Sequence, residues 1–170
     1  MKNLMWFRND LRMDDNPALR EACKLSDEVH AIYIYSKNQN QKHNEANCKT
    51  EFFIENLKAL EVELFKINIP LTIINSIGFK DNSEIIYDYL QKNSLDKVFW
   101  NNQFGVDEND RDLFVQNYLK SKNIEFENFD EQVVFAPGSI LTGEGKPYSV
   151  FTPFKRRWIE NFNLDLLDIE

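Results

Sequence analysis

Arg8, Asp10, Arg12, Asp14 and Asp15 follow directly on the apolar run Leu4-Met5-Trp6-Phe7. Side chains of alternating sign at this spacing can form a local ion-pair lattice that ties a first loop across the end of a sheet. Asp14 and Asp15 precede Asn16-Pro17, a good helix N-cap followed by a good first helical residue. Their negative charge therefore falls where a helix dipole favours it. On pattern alone the stretch is a charged, capped strand-to-helix turn. Other chemistries find little support. No Gly-x-Gly-x-x-Gly follows the first apolar run, where Arg8-Asn9-Asp10 stands instead, so a pyrophosphate has no backbone to approach. Residues 138–143, GSILTG, continue into Glu144 where a phosphate loop needs Lys, and no helix opens there. His43 and Cys48 lie in a polar stretch, and Cys23 and His30 are not spaced with them as zinc ligands are. A hydrolase nucleophile elbow is absent as well.

The elements that must position these residues alternate. Leu4 to Phe7 read as a buried strand, and residues 17–25 as a helix capped by Asn16. Residues 29–35, VHAIYIY, form a second strand rich in branched and aromatic side chains. Twelve polar residues, SKNQNQKHNEAN, follow without periodicity. Phe53, Leu57, Leu60, Leu64 and Ile67 then mark one face of a second helix. IPLTIIN is a third strand, Ser83 caps a third helix through Ile86 and Leu90, and KVFWNNQ is a fourth strand. Residues 107–120 form a fourth helix and IEFENF a fifth strand. Short loops between alternating strands and helices leave the parallel crossover arrangement. The expected fold is α/β, a five-stranded parallel Rossmann-like sheet with helices on both faces. Ligands of such sheets collect outside the carboxyl ends of the strands, at residues 8–16, 36–47 and 101–108 here. The pattern stops after Phe129, and residues 136–154 carry three of the five glycines and three of the five prolines.

Composition sets the bounds. The chain has 170 residues, 42% hydrophobic and 28% charged, as one soluble domain with a sizeable core would. No apolar run reaches membrane-spanning length and no signal peptide is evident, so no membrane partner is expected. The two cysteines point to a reducing, cytoplasmic setting. A net charge of −8 repels nucleic-acid phosphates.

Two longer motifs are more specific. WFRNDLRMDDNPAL resembles the amino-terminal signature W-F-R-x-D-L-R-x-x-D-N-x-A-L of the DNA photolyase and cryptochrome family, matched at Trp6, Phe7, Arg8, Asp10, Leu11, Arg12, Asp15, Asn16, Ala18 and Leu19. Residues 148–158, YSVFTPFKRRW, resemble the family's Y-x-V-F-T-P-F-x-x-x-W. The order of elements between the two is also that of the family's first domain. The resemblance implies a two-domain flavoprotein. An α/β domain hosts an antenna pigment, and a larger helical domain binds FAD, accepts a flipped cyclobutane pyrimidine dimer and splits it by light-driven electron transfer. Residues 1–130 correspond to the antenna-binding core. Residues 131–170 correspond to a linker excursion and terminal helix leading to the FAD-binding helical domain, which lies beyond Glu170. This stretch alone is accordingly expected to be inactive as a lyase, with damaged DNA engaged only through the helical domain of the same protein. Trp6 and Trp100 lie in apolar strands and are expected as core aromatics. A cryptochrome photosensory domain is the alternative within the family. Outside it, a free-standing α/β nucleotide-binding domain is the alternative, against which the missing phosphate loop counts.

The resemblance also places the pigment contacts. In folate-binding bacterial members they come from a His after the second strand and an Asn-Glu pair after the fourth. His43, Asp107 and Glu108 stand at these positions. The implied pigment is 5,10-methenyltetrahydrofolate, with a flavin or deazaflavin as alternatives. Glu108 can accept hydrogen bonds from the pterin amino and ring N–H groups. Its plainer role is an acid in the first turn of a helix. Asp107 replaces the family's Asn and can only accept, and it is also a natural N-cap. Asn40 stands where folate-binding relatives have a Trp, which removes an apolar wall. In the tail, Thr152-Pro153 reads as a cap and first helical residue. Phe151, Phe154 and Trp158 then recur at helical spacing, on a short helix that closes the core or docks the helical domain.

Overall fold

A computed structural model describes residues 1–24, 26–36, 38 and 46–164. Five strands alternate with helices: β1 Lys2–Phe7, α1 Pro17–Lys24, β2 Glu28–Ser36, α2 Asn47–Lys66, β3 Leu71–Ser76, a 3-10 turn Phe79–Asp81, α3 Asn82–Asn93, β4 Lys97–Asn101, α4 Val106–Ser121 and β5 Glu125–Phe129. Every pairing is parallel and the strand order is β3-β2-β1-β4-β5. The chain moves outward from β1 to β3, then crosses back to β4 on the other side of β1. The reversal between β1 and β4 opens a crevice at their carboxyl ends.

The alternation of β1 creates two cores. Leu4 and Trp6 face one side, against Ile86 and Leu90 of α3, Val115 and Leu119 of α4, and Trp100 of β4. Met5 and Phe7 face the other, against Ala18, Leu19 and Ala22 of α1 and Leu60 and Leu64 of α2. All four β1 side chains are buried, which explains why this strand reads as a continuous apolar run rather than an alternating one. Neither core includes a residue beyond Phe129.

Several element ends differ from the sequence expectation. α3 starts at Asn82, directly after the 3-10 turn, so Ser83 lies inside the helix and its hydroxyl donates to the Lys80 carbonyl at 3.4 Å. α4 starts at Val106 with Gly105 before it, so Asp107 belongs to the first turn and is not the N-cap. Ile67 follows the last residue of α2 and is exposed, whereas Leu57, Leu60 and Leu64 are buried as their spacing requires. β4 ends at Asn101, two residues short of the apolar-to-polar run that suggested it.

The chain divides into two compact units, Met1–Phe129 and Asp130–Glu170. In the second, α5 spans Phe151–Asn161 with Val150 before it, so Thr152 is helical rather than a cap. Aromatic contacts organise this unit: Trp158 stacks on Phe162 at 5.2 Å and meets Phe135 edge-on at 5.3 Å. None of its described residues is buried.

Candidate functional site

The loop after β1 is fixed to the end of β4 by a buried polar network. The Arg8 backbone N–H donates to the Asp10 carboxylate at 2.8 Å, and the other Asp10 oxygen accepts from the Asn101 amide at 2.6 Å. The same amide donates to Asn16 Oδ1 at 2.8 Å. Asn16 Oδ1 in turn caps α1 by accepting from the Leu19 N–H at 3.1 Å, as its sequence position predicts. Asn101 Oδ1 takes the next free helix donor, the Ala18 N–H, at 3.2 Å. Asp15 adopts the left-handed conformation (φ 48) that closes the loop, and its carbonyl accepts from Arg12 Nη2 at 2.8 Å.

The Arg8 side chain does not join a local lattice. Its Nη1 donates to both carboxylate oxygens of Asp112, each at 2.8 Å, across 104 residues of sequence. Arg111 grips the same carboxylate through Nε at 2.8 Å and donates through Nη2 to Gln103 Oε1 at 2.9 Å. Asp112 thus separates two guanidinium groups, all three nearly inaccessible to solvent. Arg8 departs from the local reading because the Asp10 carboxylate is taken by the Arg8 N–H and the Asn101 amide, while the Arg8 guanidinium reaches Asp112 on the helix opposite. Burial lowers the Arg8 pKa to about 10, against the opposing pull of Asp112, so the group stays charged at neutral pH. Both guanidinium groups also lie over Trp6, with Arg8 Cζ 4.7 Å and Arg111 Cζ 5.0 Å from the ring centroid. Arg111 contacts Phe79 as well, at 4.8 Å.

Above this cluster, at the strand ends, a cavity of about 160 Å³ opens between α2 and α4. Trp6, Tyr35, Phe53, Gln103, Glu108 and Arg111 are among its walls. Arg8 and Asn82 also line it, and two buried nitrogens of Arg8, Nε and Nη2, and the amide oxygen of Asn82 have no partner among the described residues. Such a site offers aromatic faces, cationic donors and one half-buried carboxylate, the set that holds a flat heteroaromatic ring with amide-like edges. Glu108 belongs to this wall and folds back over Gly105, where a Cβ would collide with its carboxylate. Asp107, its neighbour, is not among the cavity-lining residues. His43 lies outside the described residues. The structure therefore brings Glu108 together with Trp6, Gln103 and Arg111, which the sequence reading did not assign. A signal marked Arg111 alone: Arg111, Asp112, Val115 and Leu119 share the buried face of α4, so charges occupy positions where the helix turns inward. Among the described residues no cluster of His, Cys, Asp and Glu could hold a metal ion, and no helix is long and apolar enough to cross a membrane.

Five parallel strands with helices on both faces and a polar-aromatic cavity at the strand ends define a Rossmann-like α/β domain. The chain is a member of the DNA photolyase family, whose model matches residues 3–169. It is similar to the deoxyribodipyrimidine photo-lyase of Escherichia coli K12, with 37% identity over 93% of this chain and 33% of that protein. Its fold resembles the crystal structure of a bacterial class III photolyase from Agrobacterium tumefaciens, with a TM-score of 0.81, 26% identity and coverage of 95% of this chain and 32% of that one. It also resembles a cryptochrome from Synechocystis, with a TM-score of 0.81, 21% identity and coverage of 94% and 33%, a likeness of fold. The chain spans about a third of the length of the curated relatives it matches. Its α/β fold is that of the amino-terminal domain of these photolyases, a family that carries a light-harvesting pigment together with FAD.

Proposed function

We propose that residues 1–130 are the antenna-binding domain of a light-driven lyase that repairs cyclobutane pyrimidine dimers. Residues 131–170 then lead into a helical domain that binds FAD and damaged DNA. The observation that carries this reading is the strand-end cavity, walled entirely by residues of the first unit and bearing Glu108 beside aromatic and cationic groups. A pteridine ring fits that chemistry. Its amino and ring N–H groups match the Glu108 carboxylate, and its carbonyl edge matches the arginine and Gln103 donors. The pigment is 5,10-methenyltetrahydrofolate, which absorbs light and passes the excitation to FAD; a flavin or deazaflavin presents a similar polar edge. His43, outside the described residues, and Asp107, in the first turn of α4, are the other two residues this reading assigns to the pigment. The second unit supports the continuation: none of its described residues is buried, and Val150, Phe151, Ile159 and Leu164 are well exposed. Such a face matches a helical domain that covers it.

The test is a fluorescence titration of the chain with methenyltetrahydrofolate and, separately, riboflavin 5′-phosphate. Saturable uptake of the folate, weakened at least about tenfold by Glu108→Ala as loss of a charge-assisted pair predicts, is the expected result. Uptake of neither pigment refutes the antenna reading. Uptake indifferent to Glu108→Ala refutes its assignment.

A further inference from the structure

Gln103 stands in the cavity wall with the two ends of its amide already told apart. A side-chain amide presents an acceptor at one end and two donors at the other, and half a turn exchanges them. Arg111 removes that freedom. A guanidinium only donates, so the Gln103 oxygen must face it, and Nη2 donates to Oε1 at 2.9 Å. Arg111 is itself held on several sides. Its Nε donates to Asp112 at 2.8 Å and its Nη2 lies 2.7 Å from the same carboxylate oxygen. Its Cζ lies 5.0 Å from the Trp6 ring centroid and 4.8 Å from that of Phe79. Asp112 is anchored in turn by Arg8 at 2.8 Å, and all four polar side chains are buried. Nothing among the described residues accepts from the Gln103 Nε2 hydrogens, so the donor end is left for the cavity.

We propose that Gln103, locked by Arg111, reads the 4-position of the bound heterocycle and demands a carbonyl there, a role that rests on pigment binding at this cavity. The polar edge of a pterin runs amino, ring N–H, carbonyl. Glu108 is the one carboxylate of this wall and, ionised, only accepts, so it takes the amino and N–H side. The carbonyl then falls to the donor end of Gln103. An analogue with an amino group in place of that carbonyl sets donors against donors. The amide cannot turn to relieve them without setting its own nitrogen against Arg111. Net charge does not make this choice. Arg8 and Arg111 stand beside Asp10, Asp112 and Glu108, and both rings are neutral near neutral pH. Arg111 is a positioning residue in this scheme: it acts on the ligand through the orientation of Gln103.

The test is a fluorescence titration of the 170-residue chain with pterin and with 2,4-diaminopteridine near neutral pH, read as the ratio of the two affinities. The analogue also lacks the ring N–H that faces Glu108, so the part played by Gln103 is the change of the ratio among variants. Wild type is expected to favour pterin. Arg111→Met frees the amide to turn, and the ratio should fall at least about tenfold, the scale of one unmatched buried polar contact. Gln103→Glu still pairs with Arg111 but offers only acceptors, and should lower the ratio likewise. Arg111→Lys keeps a donor for Oε1 and should retain it. In a Gln103→Leu background, adding Arg111→Met should change nothing, because the arginine acts through the amide. A ratio unmoved by Arg111→Met and Gln103→Glu, or moved by Arg111→Met with Gln103 gone, overturns the proposal while leaving pigment binding intact. Binding of neither pteridine refutes the antenna reading and this role with it. A second readout needs no ligand and no folded arginine variant. Relaxation NMR of the Gln103 side-chain amide should find it as rigid as the surrounding backbone in the wild-type chain, and a freely turning amide there overturns the lock.

Discussion

Asp112 holds the site together at the level of single side chains. Its carboxylate receives one guanidinium from the first loop and another from its own helix, all out of solvent. Removing one member of a buried charge set leaves the others uncompensated. Asp112→Asn is therefore expected to lower stability by about 3–5 kcal/mol, seen as a lower urea midpoint at unchanged slope. Adding Arg8→Gln should recover part of the loss, because the second variant removes one of the two charges left facing each other. A loss below about 1 kcal/mol would mean that the pair behaves like an exposed one. This pairing could not be read from the sequence. Alternating charges at residues 8–15 suggest a local lattice, and only the crossing of α4 over the end of β1 brings Asp112 to Arg8. Glu108, assigned to the pigment through the family resemblance, lines the cavity. Trp6 was legible as a core aromatic, and it is fully buried in the core while also forming cavity wall.

At the level of elements, the interiors were legible and the ends were not. The buried spacing of α2 and the branched, aromatic β2 follow from side-chain periodicity, which is a property of local sequence. Helix starts depend on backbone conformation, so Gly105 and Val150 precede helices that Asp107 and Thr152 were expected to cap. Asn16 is the informative exception. Its cap was predicted, and it works because Asn101 completes the same helix end from another strand. Gly105 has a consequence for the site. It sits in an extended conformation open to any residue (φ −65, ψ 151), but the Glu108 carboxylate occupies the space a Cβ would fill. Gly105→Ala should displace that flexible carboxylate rather than unfold α4, at a stability cost no greater than about 1 kcal/mol. If Glu108 holds the pigment from its folded-back position, Gly105→Ala should weaken folate binding in the same direction as Glu108→Ala. Titration fluorescence alongside a thermal melt separates the two effects. Full affinity in Gly105→Ala would show that the carboxylate reaches the pigment equally well from another rotamer.

For the whole molecule, the decisive fact is where the cores end. Both draw all their residues from positions up to Phe129, and the strand-end cavity does likewise. The division was visible in the sequence as the break in strand-helix alternation and the rise in Gly and Pro after that point. What those later residues pack against was not visible, because their local pattern carries no partner. Folding free energy comes chiefly from apolar burial, so a unit with no buried residue among those described contributes little to the cooperative transition. A chain ending at Phe129 should therefore melt as one transition, within about 4 °C of the 170-residue chain, a shift equivalent to roughly 1 kcal/mol at this size. The peptide Asp130–Glu170 alone should show no cooperative melt, since a segment this short cannot assemble an adequate core without a staple or a partner. Differential scanning calorimetry on the three molecules measures both expectations. Loss of the transition on truncation at Phe129 would show that the second unit is part of the folding core, and the reading of it as a bridge toward a helical domain would fall with it.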